Sequence, residues 1–194
     1  CIRDSNYIKM MNKSVTKLDA FIRDLADFSR NARMEMEHTE VNWQAIIDET
    51  LENLQFSDNS DRIKKTITIN QNAPFFADGV RIGIMFNNLI SNAIKYQNLK
   101  RDDAFVKVTI ESDKDQAVVS IEDNGIGISA DHQAKVYNLF FRASIQSYGS
   151  GMGMYIVKNA IDKLRGEISL NSTEGEGTTF TITIPNHGFA STEN

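Results

Sequence analysis

Three short segments hold the residues best suited to chemistry. Asn88, Asn92 and Lys95 are spaced four and then three residues apart, so they would share one face of a helix. Asparagine is unfavourable inside a helix, because its amide competes with the backbone for hydrogen bonds. An Asn carbonyl oxygen suits Mg²⁺ held mainly by phosphates and water, and lysine supplies a point charge for phosphate. A solvated polar face explains these three residues equally well.

The second segment follows a predicted strand. Asp123 is succeeded by Gly125, Gly127 and Ile128. On its own the pattern is typical of an Asx turn whose glycines supply positive φ angles. A functional interpretation has the carboxylate accept a hydrogen bond from an exocyclic amine, while the glycines let a flat base approach the backbone. The motif alone favours the turn.

The third segment opens a predicted helix with Gly149, Gly151 and Gly153. Free N–H groups at a helix start, without side-chain bulk, form an anion cradle favoured by the helix dipole. No strand leads into the segment, so it does not match the dinucleotide-binding fingerprint. The preceding loop could fold over a bound phosphate chain. Arg142 in that loop is a second candidate phosphate ligand, although an arginine without further signal is expected to face solvent.

Composition and charge narrow the setting. The 194 residues are 41% hydrophobic and 24% charged, and the net charge of −5 argues against nucleic-acid and anionic-membrane binders. The single Cys1 cannot form an internal disulfide and fits a reducing cytosol. No apolar run approaches the roughly 20 residues of a membrane span. We expect a cytoplasmic chain, or the cytoplasmic part of a membrane-bound parent, with no nucleic-acid partner.

Helices and antiparallel strands must position these segments. Asn42 and Asp78 are suitable N-caps for two of the helices. Predicted helices cover residues 41–56, 78–96, 131–139 and 151–164, and predicted strands cover 63–69, 105–111, 117–122, 167–171 and 178–184. The predicted apolar face is Val41, Ala45, Ile46, Leu51 and Leu54 in the first helix and Ile82, Met85, Phe86, Leu89, Ile90 and Ala93 in the second. This order predicts an α+β fold, a two-layer sandwich with a mixed, mainly antiparallel sheet.

A long N-terminal helix is also predicted, and it carries a heptad seam. Its apolar positions alternate spacings of three and four residues and are Ile8, Met11, Val15, Leu18, Ile22 and Leu25. The 3.5-residue period favours a helix that packs in a helical bundle or dimer over a helix that lies on its own domain.

Taken together and in order, these segments resemble the ATP-binding domain of sensor histidine kinases. That domain belongs to the superfamily of gyrase-type, chaperone-type and mismatch-repair ATPases. NNLISNAIKY resembles the family's N box, DNGIGIS its first glycine box, LFFRAS its F box and GSGMGMYIVK its second glycine box. GEGTTFTITIP at 175–185 is similar to its last strand, and the resemblance covers about residues 41–185. It implies a Bergerat-type ATP-binding fold.

At the phosphate end, the resemblance assigns Asn92 to Mg²⁺ that bridges the ATP phosphates, with Asn88 nearby. Lys95 would contact phosphate. Arg142 would hold the phosphates under a mobile lid. The second glycine box would cradle the same phosphates through Gly149, Gly151 and Gly153.

At the base end, the resemblance makes Asp123 the acceptor for the adenine amino group. Tyr96 would pack near the adenine, and Thr178 would assist through water. The base pocket would be shaped by Gly125, Gly127 and Ile128.

The resemblance also implies a domain order. Residues 1–36 would be the second helix of the dimerisation hairpin, 37–186 the ATP-binding catalytic domain and 187–194 a disordered tail. The hairpin helix that carries the phosphoacceptor histidine would lie upstream. For the three histidines of this chain, His38, His132 and His187, surface or capping roles are expected.

The implied activity is transfer of the ATP γ-phosphoryl group to the upstream histidine, for relay to an aspartate of a response regulator receiver domain. The intact protein would be a homodimer through its N-terminal helix. Where ATP-hydrolysing branches of the superfamily place a water-activating glutamate, this chain has Asn88, so slow hydrolysis is expected. An anti-sigma-type serine kinase and a degenerate nucleotide-binding or dimerisation module are the alternatives.

Overall fold

A computed structural model describes residues 35–55, 60–98, 101–142 and 150–188, with separate positions between 11 and 29. Its helices are α1 (Trp43–Leu54), α2 (Gly79–Lys95), α3 (Ala130–Gln133) and α4 (Gly153–Lys163), with a 3₁₀ turn at Ser60–Arg62. Its strands are β1 (Thr39–Glu40), β2 (Lys64–Gln71), β3 (Phe76–Ala77), β4 (Phe105–Ser112), β5 (Gln116–Asp123), β6 (Glu167–Thr173) and β7 (Gly177–Pro185).

Five of these strands form one sheet in the order β2-β4-β5-β7-β6. β2 and β4 are parallel, whereas the other three pairs are antiparallel. The predicted mixed, mainly antiparallel sheet is therefore confirmed. β1 and β3 form a separate antiparallel ribbon that was not predicted from the sequence.

The core lies between one face of this sheet and the helices. Strand residues alternate between buried and more exposed positions, as a sheet covered on one side requires. α2 packs against α1 and α4. Its predicted apolar face is confirmed, because each of its six members is buried. The result is the expected two-layer α+β arrangement.

Two predicted N-caps are confirmed. The Asn42 side chain accepts a hydrogen bond from the Ala45 N–H at 3.0 Å and begins α1. The Asp78 side chain accepts from the Arg81 N–H at 3.0 Å and begins α2. Both contacts satisfy N–H groups that the first helical turn leaves without partners.

The buried face of α1 differs from the predicted one. Ala45 is exposed, whereas Trp43 and Ile47 are almost completely buried. The Trp43 ring lies 5.2 Å from the Phe75 ring and 6.3 Å from the Phe86 ring, centroid to centroid. This aromatic cluster sets the rotation of the helix, and the small Ala45 is turned towards solvent.

The helix predicted over residues 131–139 is only one turn long. α3 is followed by tight turns in which Lys135 N–H donates to His132 O and Asn138 N–H donates to Lys135 O, each at 2.9 Å. These bonds span three residues rather than four, so the segment does not continue as an α-helix.

Several predictions fall largely outside the described residues. The described positions of the N-terminal segment are helical, and their large apolar residues are 47–67% exposed. The continuous long helix of residues 1–36 stays a prediction. Of the predicted tail, His187 donates its N–H to Phe76 O at 2.9 Å, and residues 189–194 lie outside the described part. Among the described residues, no helix has the length and apolar character of a membrane span.

Candidate nucleotide-binding site

A cleft of about 340 Å³ opens between α2, the start of α4 and the adjoining ends of β5 and β7. Most predicted site residues line it, namely Asn88, Asn92, Lys95, Tyr96, Asp123, Gly127, Ile128, Arg142, Gly151, Gly153 and Thr178. Gly125 is next to this lining, where its N–H contacts the Asp123 side chain. Gly149 lies outside the described residues. The segments that the sequence separates thus meet in one place.

The two asparagines of α2 face the beginning of α4. Asn88 Nδ2 donates to Ile84 O at 2.8 Å, and a β-carbon at Gly153 would lie 2.8 Å from Asn88 Oδ1. Asn92 Nδ2 lies 3.4 Å from Met154 Sδ. Close approach of the two helices therefore depends on the absence of a side chain at Gly153.

Lys95 and Tyr96 end α2 at the rim of the cleft. The Lys95 Nζ lies 5.0 Å from the centre of the Tyr96 ring, within the range of a cation–π contact. The Tyr96 carbonyl accepts from the Ile126 N–H at 2.9 Å. The end of the helix and the first glycine loop are therefore joined.

Asp123 lies at the end of β5 with its carboxyl group half-buried. Burial raises the pKa of Asp123 to about 6, although the backbone N–H groups of Gly125 and Thr178 partly offset this effect. The Gly125 N–H donates to Asp123 Oδ1 at 2.8 Å. At neutral pH this side chain is an anionic acceptor that is poorly solvated, so a ligand N–H at this position would be favoured.

The turn between β6 and β7 packs against the loop that follows Asp123. A β-carbon at Gly127, where φ is +65°, would lie 2.0 Å from Thr173 O. A β-carbon at Gly177, where φ is +143°, would lie 2.0 Å from Asp123 O. Both glycines are needed for this backbone contact, and Gly177 thereby fixes the position of Asp123.

At the other end of the cleft, the segment that leads into α4 meets the described part of the F box, because Gly151 lies against the backbone of Phe140 and Phe141. Arg142, Ser150 and Gly151 line the cleft here. The Met152 N–H donates to Ser150 Oγ at 3.0 Å. Backbone N–H groups at a helix start favour anions. Residues 143–149 lie outside the described part, so the predicted lid stays a prediction.

Sequence reasoning missed the polar residues that hold the glycine loop. Ser172 Oγ accepts the Ile128 N–H at 2.8 Å. Gln133 Nε2 donates to Ile128 O at 2.9 Å and to Ser172 O at 2.8 Å. No local signal identifies them, because only the register of β6 on β7 places Ser172 opposite Thr178.

Asn124 and the histidines lie outside the cleft lining. Asn124 is buried, its Oδ1 accepts from Phe105 N–H and its Nδ2 donates to Asp103 O, each at 2.8 Å. His132 Nδ1 lies 3.1 Å from Ser129 Oγ, and the His38 and His187 rings are 4.3 Å apart. These contacts support the fold rather than the cleft.

Comparison with known proteins identifies the family. Residues 77–188, more than half of the chain, match the family described as histidine kinase-, DNA gyrase B-, and HSP90-like ATPase. The autoinducer 2 sensor kinase/phosphatase LuxQ of Vibrio parahaemolyticus is 32% identical over 195 residues, which cover 93% of this chain and 22% of LuxQ. The chain spans about a fifth of the length of the curated relatives that it matches.

Solved structures agree with this assignment. The mycobacterial sensor histidine kinase MprB has a TM-score of 0.64 and 26% identity, covering 77% of this chain and 98% of that chain. ShkA, solved in complex with AMPPNP, has a TM-score of 0.73 at 21% identity, covers 94% of this chain and 38% of that chain, and shows the fold alone. The chain belongs to the histidine kinase-, DNA gyrase B-, and HSP90-like ATPase family, and sensor histidine kinases are among its relatives.

Proposed function

We propose that this chain is the ATP-binding catalytic part of a two-component sensor histidine kinase and that it binds Mg-ATP in the cleft. The observation that carries this proposal is the convergence of Asp123, the asparagine pair of α2 and the glycine-rich start of α4 on one cleft. Its volume of about 340 Å³ lies within the usual range of small-molecule sites. The match of residues 77–188 to the histidine kinase-, DNA gyrase B-, and HSP90-like ATPase family supports ATP as the ligand.

At the base end, we assign Asp123 as the acceptor for the 6-amino group of adenine. Its half-buried carboxylate gains from an N–H donor, because burial leaves it short of water. Tyr96 and Ile128 line the same end and offer apolar surface to the base. Gly125 and Gly127 shape the loop that encloses it.

At the phosphate end, Asn92 and Asn88 offer hard amide oxygens and the start of α4 offers backbone N–H groups. This donor set fits a triphosphate with Mg²⁺, because Mg²⁺ keeps water and phosphate oxygens and needs few protein ligands. When bound, Mg²⁺ would neutralise phosphate charge. Lys95 and Arg142 add positive charge, and Gly151 and Gly153 remove side-chain bulk where the phosphates would lie.

In the intact protein, the residues of the cleft would hold the γ-phosphoryl group in line with a histidine nitrogen. Phosphoryl transfer depends mainly on positioning and charge neutralisation, which this cleft supplies. The β,γ-bridging P–O bond breaks and a P–N bond forms, so that ADP leaves. A response regulator aspartate would then take the phosphoryl group. LuxQ and GacS, both named sensor proteins, are among the relatives that support this role.

Hydrolysis of ATP by the chain alone should be slow. Asn88 stands one helical turn before Asn92 and cannot act as a general base for water. We expect turnover far below the median of about 10 s⁻¹ for enzymes. Phosphate release by the purified chain measures it, and rapid basal turnover would favour an ATPase instead.

We also propose that residues 1–36 form the second helix of a dimerisation hairpin. Met11, Val15, Leu18, Ile22 and Leu25 are exposed apolar residues at heptad spacing, as expected for a surface that a partner helix covers. Residues 37–186 then form the catalytic domain.

The direct test of the kinase function uses a separate hairpin polypeptide that carries the phosphoacceptor histidine. The chain, Mg-ATP and this hairpin should yield acid-labile, alkali-stable phosphohistidine on the hairpin. Asn92→Ala should abolish the signal, whereas Asn53→Ala, an asparagine on α1 outside the cleft lining, should retain it. Nucleotide binding without phosphohistidine for any such hairpin would contradict the kinase assignment.

A further inference from the structure

The Ser172 hydroxyl, beside the base end of the cleft, has three hydrogen-bonding partners. Its oxygen accepts the Ile128 N–H at 2.8 Å, its proton is directed at Gly177 O at 2.8 Å, and Thr178 Oγ1 lies 3.0 Å away. A serine hydroxyl has one proton and two lone pairs. With the proton given to Gly177 and one lone pair taken by Ile128, the contact with Thr178 is satisfied when Thr178 donates.

This assignment fixes what Thr178 presents to the cleft. Its hydroxyl proton points to Ser172, so lone pairs remain on the side of Thr178 that lines the cleft. Asp123 is paired with Thr178 across β5 and β7, and its carboxylate accepts a hydrogen bond from the Thr178 backbone N–H, so both side chains belong to the same end of the cleft. The base end therefore presents two hydrogen-bond acceptors and no donor from these side chains.

Two acceptors favour one class of purine. At position 6, a 6-aminopurine has an amino group that donates its N–H, whereas a 6-oxopurine has a carbonyl oxygen that acceptors at this position repel. Resting on the proposed nucleotide binding, we propose that Ser172 is a positioning residue that keeps Thr178 an acceptor and so strengthens selection of 6-aminopurine over 6-oxopurine nucleotides. Ser172 acts through Thr178 and Ile128.

Ser172 is held in place from two directions. Gln133 Nε2 donates to the Ser172 carbonyl at 2.8 Å and also to Ile128 O at 2.9 Å. β6 pairs with β7 along its length, with Ser172 opposite Thr178. The hydroxyl orientation is thus fixed by fold contacts that exist before a nucleotide binds.

The test compares dissociation constants for ADP and IDP, which differ at position 6 of the purine. We expect the wild-type chain to prefer ADP. Ser172→Ala frees the Thr178 hydroxyl to donate to a 6-oxo group, and it should reduce the preference about fivefold to tenfold. In a Thr178→Val background, Ser172→Ala should change the ratio no further. Ser169→Ala, on the same strand with its hydroxyl 3.4 Å from Thr181 O, is the matched control and should keep the wild-type ratio.

The ratio separates a positioning role from a structural one. If Ser172→Ala weakens ADP and IDP equally, or if its effect persists in Thr178→Val, the inference is wrong while nucleotide binding stands. If the folded wild-type chain binds neither nucleotide, the proposed function fails and the inference fails with it. Ser172→Cys keeps the side-chain size with a weaker donor, and gives the same comparison should the alanine variant not fold.

Discussion

At the scale of single residues, Asp123 links the electrostatics of the cleft to its proposed ligand. Its carboxyl group is half-buried at the end of β5, and burial raises its pKa to about 6. Above pH 6, the charged Asp123 side chain lowers the free energy of unfolding, whereas below the ordinary pKa of 3.8 it has no such effect. The reason is that the folded state retains the Asp123 proton to a higher pH than the unfolded state does. A bound amino group would offset that cost.

Nucleotide affinity should therefore fall in mild acid. As the pH drops through about 6, Asp123 gains a proton and offers a donor where the 6-amino group needs an acceptor. We expect ADP affinity to decrease by up to about tenfold per pH unit below 6. Calorimetric titrations at pH 7.5, 6 and 5 measure this change.

The Asp123→Asn variant is the control for this pH dependence of ADP affinity. It keeps an oxygen for the Gly125 N–H but has no titrating group, and it should bind weakly with little further loss below pH 6. It should also unfold at no lower urea concentration than the wild type at pH 7.5, since the buried charge is gone. Identical pH profiles for the two chains would show that Asp123 does not contact the base.

Site residues with a local signal were predictable. The Asn88–Asn92 spacing and the glycines around Asp123 identify positions that now line one cleft. Ser172 and Gln133 were not predictable as site residues, because their role arises from the pairing of β6 with β7 and from the packing of α3 on β6. The sequence of one strand does not reveal which residues of a distant strand will pair with it.

At the scale of elements, the two N-caps should contribute differently to the stability of the fold. Asn42 is an exposed cap, whereas Asp78 is buried and also forms an ion pair with the buried Arg81. Asn42→Ala should cost about 1 kcal/mol, a typical loss for an N-cap. Asp78→Ala should cost about 3–5 kcal/mol, because it also removes the acidic partner of a buried guanidinium.

Urea unfolding of both variants measures these free energies. A smaller or equal loss for Asp78→Ala would mean that the ion pair adds nothing to the cap. Since α2 carries Asn88 and Asn92, a frayed α2 should weaken nucleotide binding as well.

The helix starts were predictable because capping is a local interaction, and the face of α2 was predictable because its apolar period is long and regular. The face of α1 was not, since Trp43 is oriented by Phe75 and Phe86 from other elements. The predicted length of α3 was wrong for a similar reason. Val136 in the following turns is buried, and no period in the sequence distinguishes such turns from a helix.

At the scale of the whole molecule, the cleft joins parts that are distant in sequence. α2 supplies one wall, and β5, α4 and β7 supply the others, so the site exists only when the sandwich is complete. The described cleft residues begin at Leu54 and end at Phe180. The solved chain of MprB matches 77% of this chain over 98% of its own length, so a chain shorter than this one adopts the same fold.

Removal of residues 1–34 should therefore leave the site intact. We expect the shortened chain to bind ADP within about twofold of the full chain and to unfold cooperatively, as an independent domain does. Calorimetry and urea unfolding check both expectations. Loss of binding in a folded, shortened chain would show that the N-terminal segment contributes to the cleft.

The most direct measurement of the central claim is the titration of ATP into the chain with and without Mg²⁺. Binding should be saturable, strengthened by Mg²⁺, and reduced at least about tenfold by Asn92→Ala and by Asp123→Ala, a loss of about 1.4 kcal/mol or more in each case. Glu111→Gln, on the exposed surface of β4, should bind like the wild type. No binding by the folded wild-type chain, or binding that neither cleft substitution alters, would contradict the account.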